Sequence, residues 1–217
     1  MNKAALYASI ALLPVLAYAP LTHAAPESVP VSKIEKHQTP PNTGDKLPLF
    51  RIDDASGEGE HDLAKLLADG PVVVTFYRGS WCPYCVSELS SIQKRIDDIK
   101  SAGATVLAIS PEKPSETADL VDQKELGFLF GTDHNNELAT KLALSFKLDT
   151  KTIKRYKQYG IDLPKSNDAT VWELPIPATY IVDTDGTITW AFVEEDYKKR
   201  PDYKLVVKKL TEMQQND

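Results

Sequence analysis

Seven consecutive residues, PVVVTFY from Pro71 to Tyr77, carry no charge and are dominated by β-branched and aromatic side chains. A strand of this composition has no polar face to offer water, so it must be covered on both sides, as in sheets that carry helices above and below. Just beyond it the periodicity changes. Cys85, Leu89, Ile92, Ile96 and Ile99 recur at intervals of four and three, while Lys94, Arg95, Asp97, Asp98 and Lys100 fall on other faces. That spacing predicts one long amphipathic helix, with Gly103 just past its end.

The flanking segments fit the same layered plan. Leu49 to Ile52 predicts a short strand, Ser56-Gly57 a turn, and His61 to Ala68 a short helix. After the long helix, the run from Ala104 predicts a second buried strand, Ser115 to Leu126 a polar helix, Phe128 to Phe130 a brief strand, and Asn135 to Phe146 another helix. Leu148 to Leu174 reads as an insertion. It is followed by two strands joined around Thr184-Asp185-Gly186, a hairpin pattern, and by a closing helix from Asp202 to Gln214. Alternation of this kind argues for an α/β fold with a mixed central sheet flanked by helices.

The ends divide differently. Lys3 precedes an apolar run from Ala4 to Ala19, and Thr22-His23-Ala24 closes it with small residues at the spacing of a cleavage site. Residues 1–24 are therefore expected to be a secretory signal cut after Ala24, which implies a periplasmic location and no stable membrane insertion after cleavage. The run is short for the roughly 30 Å of a bilayer core and Pro14 interrupts it, which disfavours a permanent anchor. Residues 25–43, polar and rich in proline, are expected to be a flexible lead-in, leaving 44–217 as the domain. The net charge of −6 comes from dispersed acids, not a basic stripe, so no nucleic-acid partner is expected.

The chain has two cysteines, Cys82 and Cys85, both at the handover from strand to helix. As a staple such a ring is weak, removing only about 2 kcal/mol of unfolded-chain entropy. As a zinc site it supplies two of the four ligands a structural zinc needs. Redox exchange needs nothing more than the pair. With Pro83 at the first helical position, Cys82 falls at the helix start, where unpaired N–H groups favour a thiolate. Cys85, one turn along, can close a disulfide and release whatever Cys82 has bound. Trp81 and Tyr84 flank the sulfurs and are candidate groove residues, with Arg78 as a nearby positive charge. Glu88 and Glu173 are candidate proton carriers, whereas His61 and His134 are expected to face solvent.

The stretches VVVTFYRGSWCPYC, QYGIDLP, WELPIPATYIVDTDGTI and DYKKRPDY resemble the peroxiredoxin-like branch of the alkyl hydroperoxide reductase and thiol-specific antioxidant family. The resemblance implies a thioredoxin-like fold with Cys82 and Cys85 as redox cysteines and Pro177 as the cis-proline that presents backbone to a substrate. It also carries a second register. The peroxiredoxin pattern Pro-x-x-x-Thr-x-x-Cys falls on Arg78, Cys82 and Cys85, making Cys85 the peroxide-reducing residue, with Pro177 where an arginine is usual.

Two enzymes remain open on this reading: a peroxidase reducing hydroperoxides, and a disulfide reductase or isomerase. Either would draw electrons from a thioredoxin-like or membrane-linked thiol reductant. A copper or haem-maturation carrier would use the same thiolates, with His134 the candidate additional ligand. No metal, flavin or nucleotide cofactor is expected, since no glycine-rich phosphate loop of the required spacing occurs.

Overall fold

The computed structural model describes residues 27–215, so the leader expected over residues 1–24 lies outside the described residues. In chain order the elements are β1 (Val29–Pro30), β2 (Phe50–Asp54), β3 (Glu60–Asp62), α1 (Leu63–Asp69), β4 (Val72–Phe76), α2 (Pro83–Gln93), α3 (Ile96–Ser101) and β5 (Thr105–Ser110). They continue with α4 (Pro114–Lys124), β6 (Leu129–Thr132), α5 (Glu137–Lys141), β7 (Ser145–Lys147), α6 (Thr150–Gln158), α7 (Leu163–Ser166), β8 (Glu173–Pro175), β9 (Ala178–Val182), β10 (Ile188–Val193) and α8 (Tyr203–Gln214).

The main sheet runs β1-β2-β6-β5-β4-β9-β10, with β3 paired to β2, and β7 and β8 form a separate ribbon. At its centre β4 lies parallel to β5 and antiparallel to β9, and all five of its residues are buried. Alternation along β4 divides the interior. Val73 and Tyr77 face a core shared with α2, α3, α4 and α8, while Val72, Val74 and Phe76 face one shared with α1 and α5. Complete burial of side chains such as Ile92 and Ile99 contributes about 1.5–3 kcal/mol apiece, which anchors α2 and α3 to the sheet. This is the thioredoxin-like arrangement expected from the sequence.

Several local expectations are corrected. The long helix is two helices, because Arg95 adopts φ −118° and ψ 8° and interrupts it. Ile96 and Ile99 stay in phase with the stripe on α2, so the apolar spacing carries no trace of the break. The helix expected from His61 starts at Leu63, since Glu60–Asp62 pairs with β2 and the Asp62 carboxylate caps the N–H groups of Ala64 and Lys65. The helix expected over 135–146 shrinks to α5. Asn135, Asn136 and Ala143 have φ of 56°, 54° and 55°, and buried Asp133 accepts from Leu138 and Ala139 to start the helix late.

Residues 27–43 are docked, not loose. Val29–Pro30 pairs with Phe50–Arg51, His37 N–H donates to the Lys141 carbonyl, and Ile34 is buried against the core. Pro177 is also corrected: its peptide bond is trans, as are all those among the described residues. Trans is the lower-energy form by about 0.5–1 kcal/mol, and a proline at the start of β9 gives up no ladder hydrogen bond there.

Candidate active site

From the end of β4 the chain crosses to α2 through Tyr77 to Trp81, and this short passage is tightly held. Gly79 has φ +142°, and a Cβ on it would come within 2.5 Å of Trp81 Nε1 and 2.8 Å of the Glu112 carboxyl. Ser80 donates its N–H (2.6 Å) and its hydroxyl (2.9 Å) to the same carboxylate, which is fully buried after β5. Glu112 therefore fixes the loop that delivers the next residue but one, Cys82. Burial pushes the Glu112 carboxyl up to about 7, against the pull of the Ser80 bonds.

Cys82 is the N-cap of α2, with extended backbone and Pro83 at the first helical position. Its Sγ receives three donors: Cys85 Sγ at 2.6 Å, Arg78 Nη2 at 3.0 Å and the Cys85 N–H at 3.3 Å. The Cys85 thiol contributes most to holding Cys82 well below the ordinary thiol range. Desolvation opposes it, and the Arg78 charge adds to it. Cys85 moves the other way, raised first by burial and then by donating to, and being repelled by, the Cys82 thiolate. The dithiol is polarised into one thiolate and one thiol.

A second layer comes from distant segments. Arg78, itself buried, donates through Nη1 to the Tyr156 hydroxyl of α6 at 3.2 Å, and its guanidinium lies 4.1 Å from the Tyr197 ring centroid. Trp81 meets the Tyr156 ring edge-on at 5.5 Å, and Tyr84 meets Tyr197 at 5.7 Å. Arg200, just before α8, donates to Cys85 Sγ at 3.3 Å and ion-pairs with buried Glu88, which also accepts from the Tyr203 hydroxyl at 3.1 Å. Desolvation lifts the Glu88 carboxyl to about 7 in spite of Arg200. Beneath this cover both sulfurs have zero exposure, whereas Tyr84 is 41% exposed.

The structure thus brings together Cys82, Cys85, Arg78, Trp81, Pro83 and Tyr84, and adds Glu88 through Arg200. Pro177 is buried at the start of β9, and its carbonyl accepts from the Glu194 N–H. Glu173 lies in the β7–β8 ribbon paired with Lys147. His134 pairs with Asp53 at 2.9 Å with its side chain 56% exposed, while His61, at 11% exposure, is largely enclosed and contacts the Phe130 carbonyl. Sequence reasoning gave no role to Tyr156, Arg200, Tyr197 or Glu112. The quoted stretch DYKKRPDY holds two of them and was the available signal.

A buried thiolate and thiol at the strand-to-helix junction of a thioredoxin-like sheet define a thiol-dependent oxidoreductase. The sequence pattern described as the AhpC/TSA family matches residues 43–191, and the chain belongs to that family. Peroxiredoxin Bcp of Escherichia coli K12 is 24% identical over 173 residues, spanning 80% of this chain and 97% of its own length. The chloroplastic peroxiredoxin Q of Populus jackii is 29% identical over 169 residues, 77% of this chain and 68% of the relative. Among solved structures, peroxidoxin BcpB from Mycobacterium tuberculosis superposes with a TM-score of 0.63 at 19% identity, covering 79% of this chain and 97% of that one.

Proposed function

We propose that the chain is an exported thiol peroxidase that reduces hydroperoxides, with Cys82 as the attacking thiolate and Cys85 as the resolving thiol. One observation carries the reading: Cys82 Sγ has zero exposure yet sits 3.0 Å from a guanidinium and 2.6 Å from a second sulfur. A small oxidant suits such an enclosed sulfur better than a folded protein disulfide does. Pro177, which the disulfide-exchange reading expected in the cis form, is trans.

In this scheme the Cys82 sulfur attacks one peroxide oxygen, the O–O bond breaks, and the sulfur becomes a sulfenic acid while the other oxygen leaves as alcohol or water. The Cys85 thiol then displaces hydroxide, which departs as water, and the Cys82–Cys85 disulfide forms. An external dithiol restores both thiols and is itself oxidised. Arg78 favours the attacking thiolate, and Arg200 lies against the sulfur that must lose its proton in the second step. The family register favours the reverse assignment; the raised pKa of Cys85 argues against it.

Rapid mixing of reduced protein with hydrogen peroxide tests the assignment, using a sulfenic-acid trap. Cys85→Ser should accumulate trapped sulfenic acid on Cys82, and Cys82→Ser should react slowly. Trapping confined to Cys85 would reverse the roles, and wild type that ignores peroxide but exchanges readily with a protein disulfide would replace the function.

The basic, apolar and small-residue pattern of residues 1–24 supports export to the periplasm, where a membrane-linked thiol reductant would have to supply electrons against an oxidising environment. Sequencing the N-terminus of protein recovered from fractionated cells checks this. A mature chain starting at Ala25 in the periplasmic fraction is expected, and a chain starting at Met1 in the cytosol would overturn it.

A further inference from the structure

The Tyr156 hydroxyl is the feature of the site left without a role. It reaches the Arg78 guanidinium beside the sulfurs from α6, in the insertion between the two halves of the sheet, held by the edge contact of its ring with Trp81. Its sole hydrogen bond among the described residues is the one it accepts from Arg78 Nη1 at 3.2 Å. Since a phenol has one proton and its oxygen has been engaged as acceptor, that proton is uncommitted. The other terminal nitrogen of the same guanidinium is on Cys82 Sγ. One planar group therefore holds a thiolate on one side and a spare O–H donor on the other.

Peroxide cleavage calls for both. The attacking sulfur needs to be anionic, and the departing oxygen carries away the electron pair of the O–O bond as hydroxide or alkoxide, which must be protonated. Resting on the peroxidase reading above, we infer that Tyr156 is the proton donor to the leaving oxygen of the hydroperoxide. In the step, the Cys82 sulfur bonds to the nearer oxygen, which keeps its own hydrogen and becomes the sulfenic acid. The O–O bond breaks, the farther oxygen takes the Tyr156 proton and leaves as alcohol or water, and the tyrosinate regains a proton from solvent. The sulfur loses two electrons and the peroxide gains them.

The energetics favour the transfer. A phenol is by nature a stronger acid than water or an alcohol, and although burial raises Tyr156, the Arg78 charge opposes that rise. The Arg78 guanidinium, 3.2 Å away, stabilises the transient tyrosinate. Trp81 and the α6 backbone fix the phenol beforehand, so little reorganisation is required.

The test is Tyr156→Phe, which keeps the ring and its contact with Trp81, in single turnovers of reduced protein against two oxidants. tert-Butyl hydroperoxide expels a strongly basic alkoxide, and peracetic acid expels acetate, which needs no proton. The variant should react at least about 100-fold more slowly than wild type with the first and nearly as fast as wild type with the second. Iodoacetamide alkylation of Cys82, which expels no oxygen, should not change. Equal slowing with both oxidants, or slowed alkylation, would reassign Tyr156 to holding Arg78 in place; no slowing with either would leave it without a role. Wild type inert toward both oxidants would remove the peroxidase reading itself, an outcome distinct from failure of the variant.

Discussion

The polarised sulfur pair predicts a crossing of rate profiles when Arg78 is changed to glutamine. Arg78 Nη2 lies 3.0 Å from Cys82 Sγ, and an opposite charge that near lowers an acid's pKa by about 1–3 units. Cys82 is depressed in the wild type, so removal of the charge should raise its midpoint by about that much. The sign is that of a depressed acid: the wild type stays thiolate to lower pH than the variant, which is the more protonated of the two on the acid side.

Thiolates of higher pKa are the better nucleophiles, with a Brønsted coefficient of about 0.4–0.5. Alkylation of Cys82 by iodoacetamide, followed by mass spectrometry across pH, should therefore run slower in Arg78→Gln at low pH and several-fold faster at high pH. Peroxide oxidation should be slower in the variant at every pH, because the guanidinium also stabilises the negative charge growing on the leaving oxygen. Cys85→Ala should raise the Cys82 midpoint further still, its thiol being the first cause of the depression. Identical alkylation profiles for Arg78→Gln and wild type, or a Cys85→Ala midpoint at or below the wild-type one, would refute the reasoning.

Other perturbations act on the supports of the site. Arg200→Met leaves Glu88 buried without its cation and should cost about 3–5 kcal/mol in urea unfolding, with much of the loss recovered in the Arg200→Met, Glu88→Met double variant. The Glu112 carboxyl, raised from 4.5 to about 7, contributes stability that is full below 4.5 and lost as pH climbs through 7, so Glu112→Gln should gain on wild type in thermal melts over that window. A melt difference independent of pH would mean that Glu112 titrates normally. Gly79→Ala forces a side chain into a φ of +142° and against Glu112, and should destabilise by about 1–3 kcal/mol while slowing Cys82 alkylation.

What could be read from the sequence was local. The buried strand, the helix start at Pro83 and the cysteine pair follow from composition, periodicity and spacing within about thirty residues, and Arg78 lies one turn's length before Cys82. The covering groups arrive from far along the chain: Glu112 after β5, Tyr156 in α6, Tyr197 and Arg200 before α8. Apart from the DYKKRPDY stretch around Tyr197 and Arg200, nothing in their immediate neighbours distinguishes them from surface residues, because only the order of strands decides which connections close over the same end of the sheet. The basic stretch of Lys147, Lys151, Lys154, Arg155 and Lys157 shows the difficulty. It reads as a solvated helix face, and its lysines and Arg155 are indeed exposed, but Tyr156 within it turns inward to Arg78.

The two arginines also account for the peroxiredoxin register that the sequence breaks. The family pattern leaves proline where its arginine would stand, yet the sulfur in the family's reactive place, Cys85, still has a guanidinium at 3.3 Å, supplied by Arg200. Arg200 is tied to Glu88, so part of its charge is spent on a carboxylate, whereas buried Arg78 has Cys82 as its one anionic partner within hydrogen-bond distance among the described residues. Two sulfurs under two cations would otherwise compete for the proton. Burial and donation to Cys82 make Cys85 the weaker acid, and the carboxylate beside Arg200 offsets the cation that would otherwise lower it. Replacing Glu88 with glutamine should then free Arg200 for Cys85 and narrow the gap between the two thiols, measured as faster alkylation of Cys85 relative to Cys82. An unchanged ratio would mean that the helix start and Arg78 alone set the order.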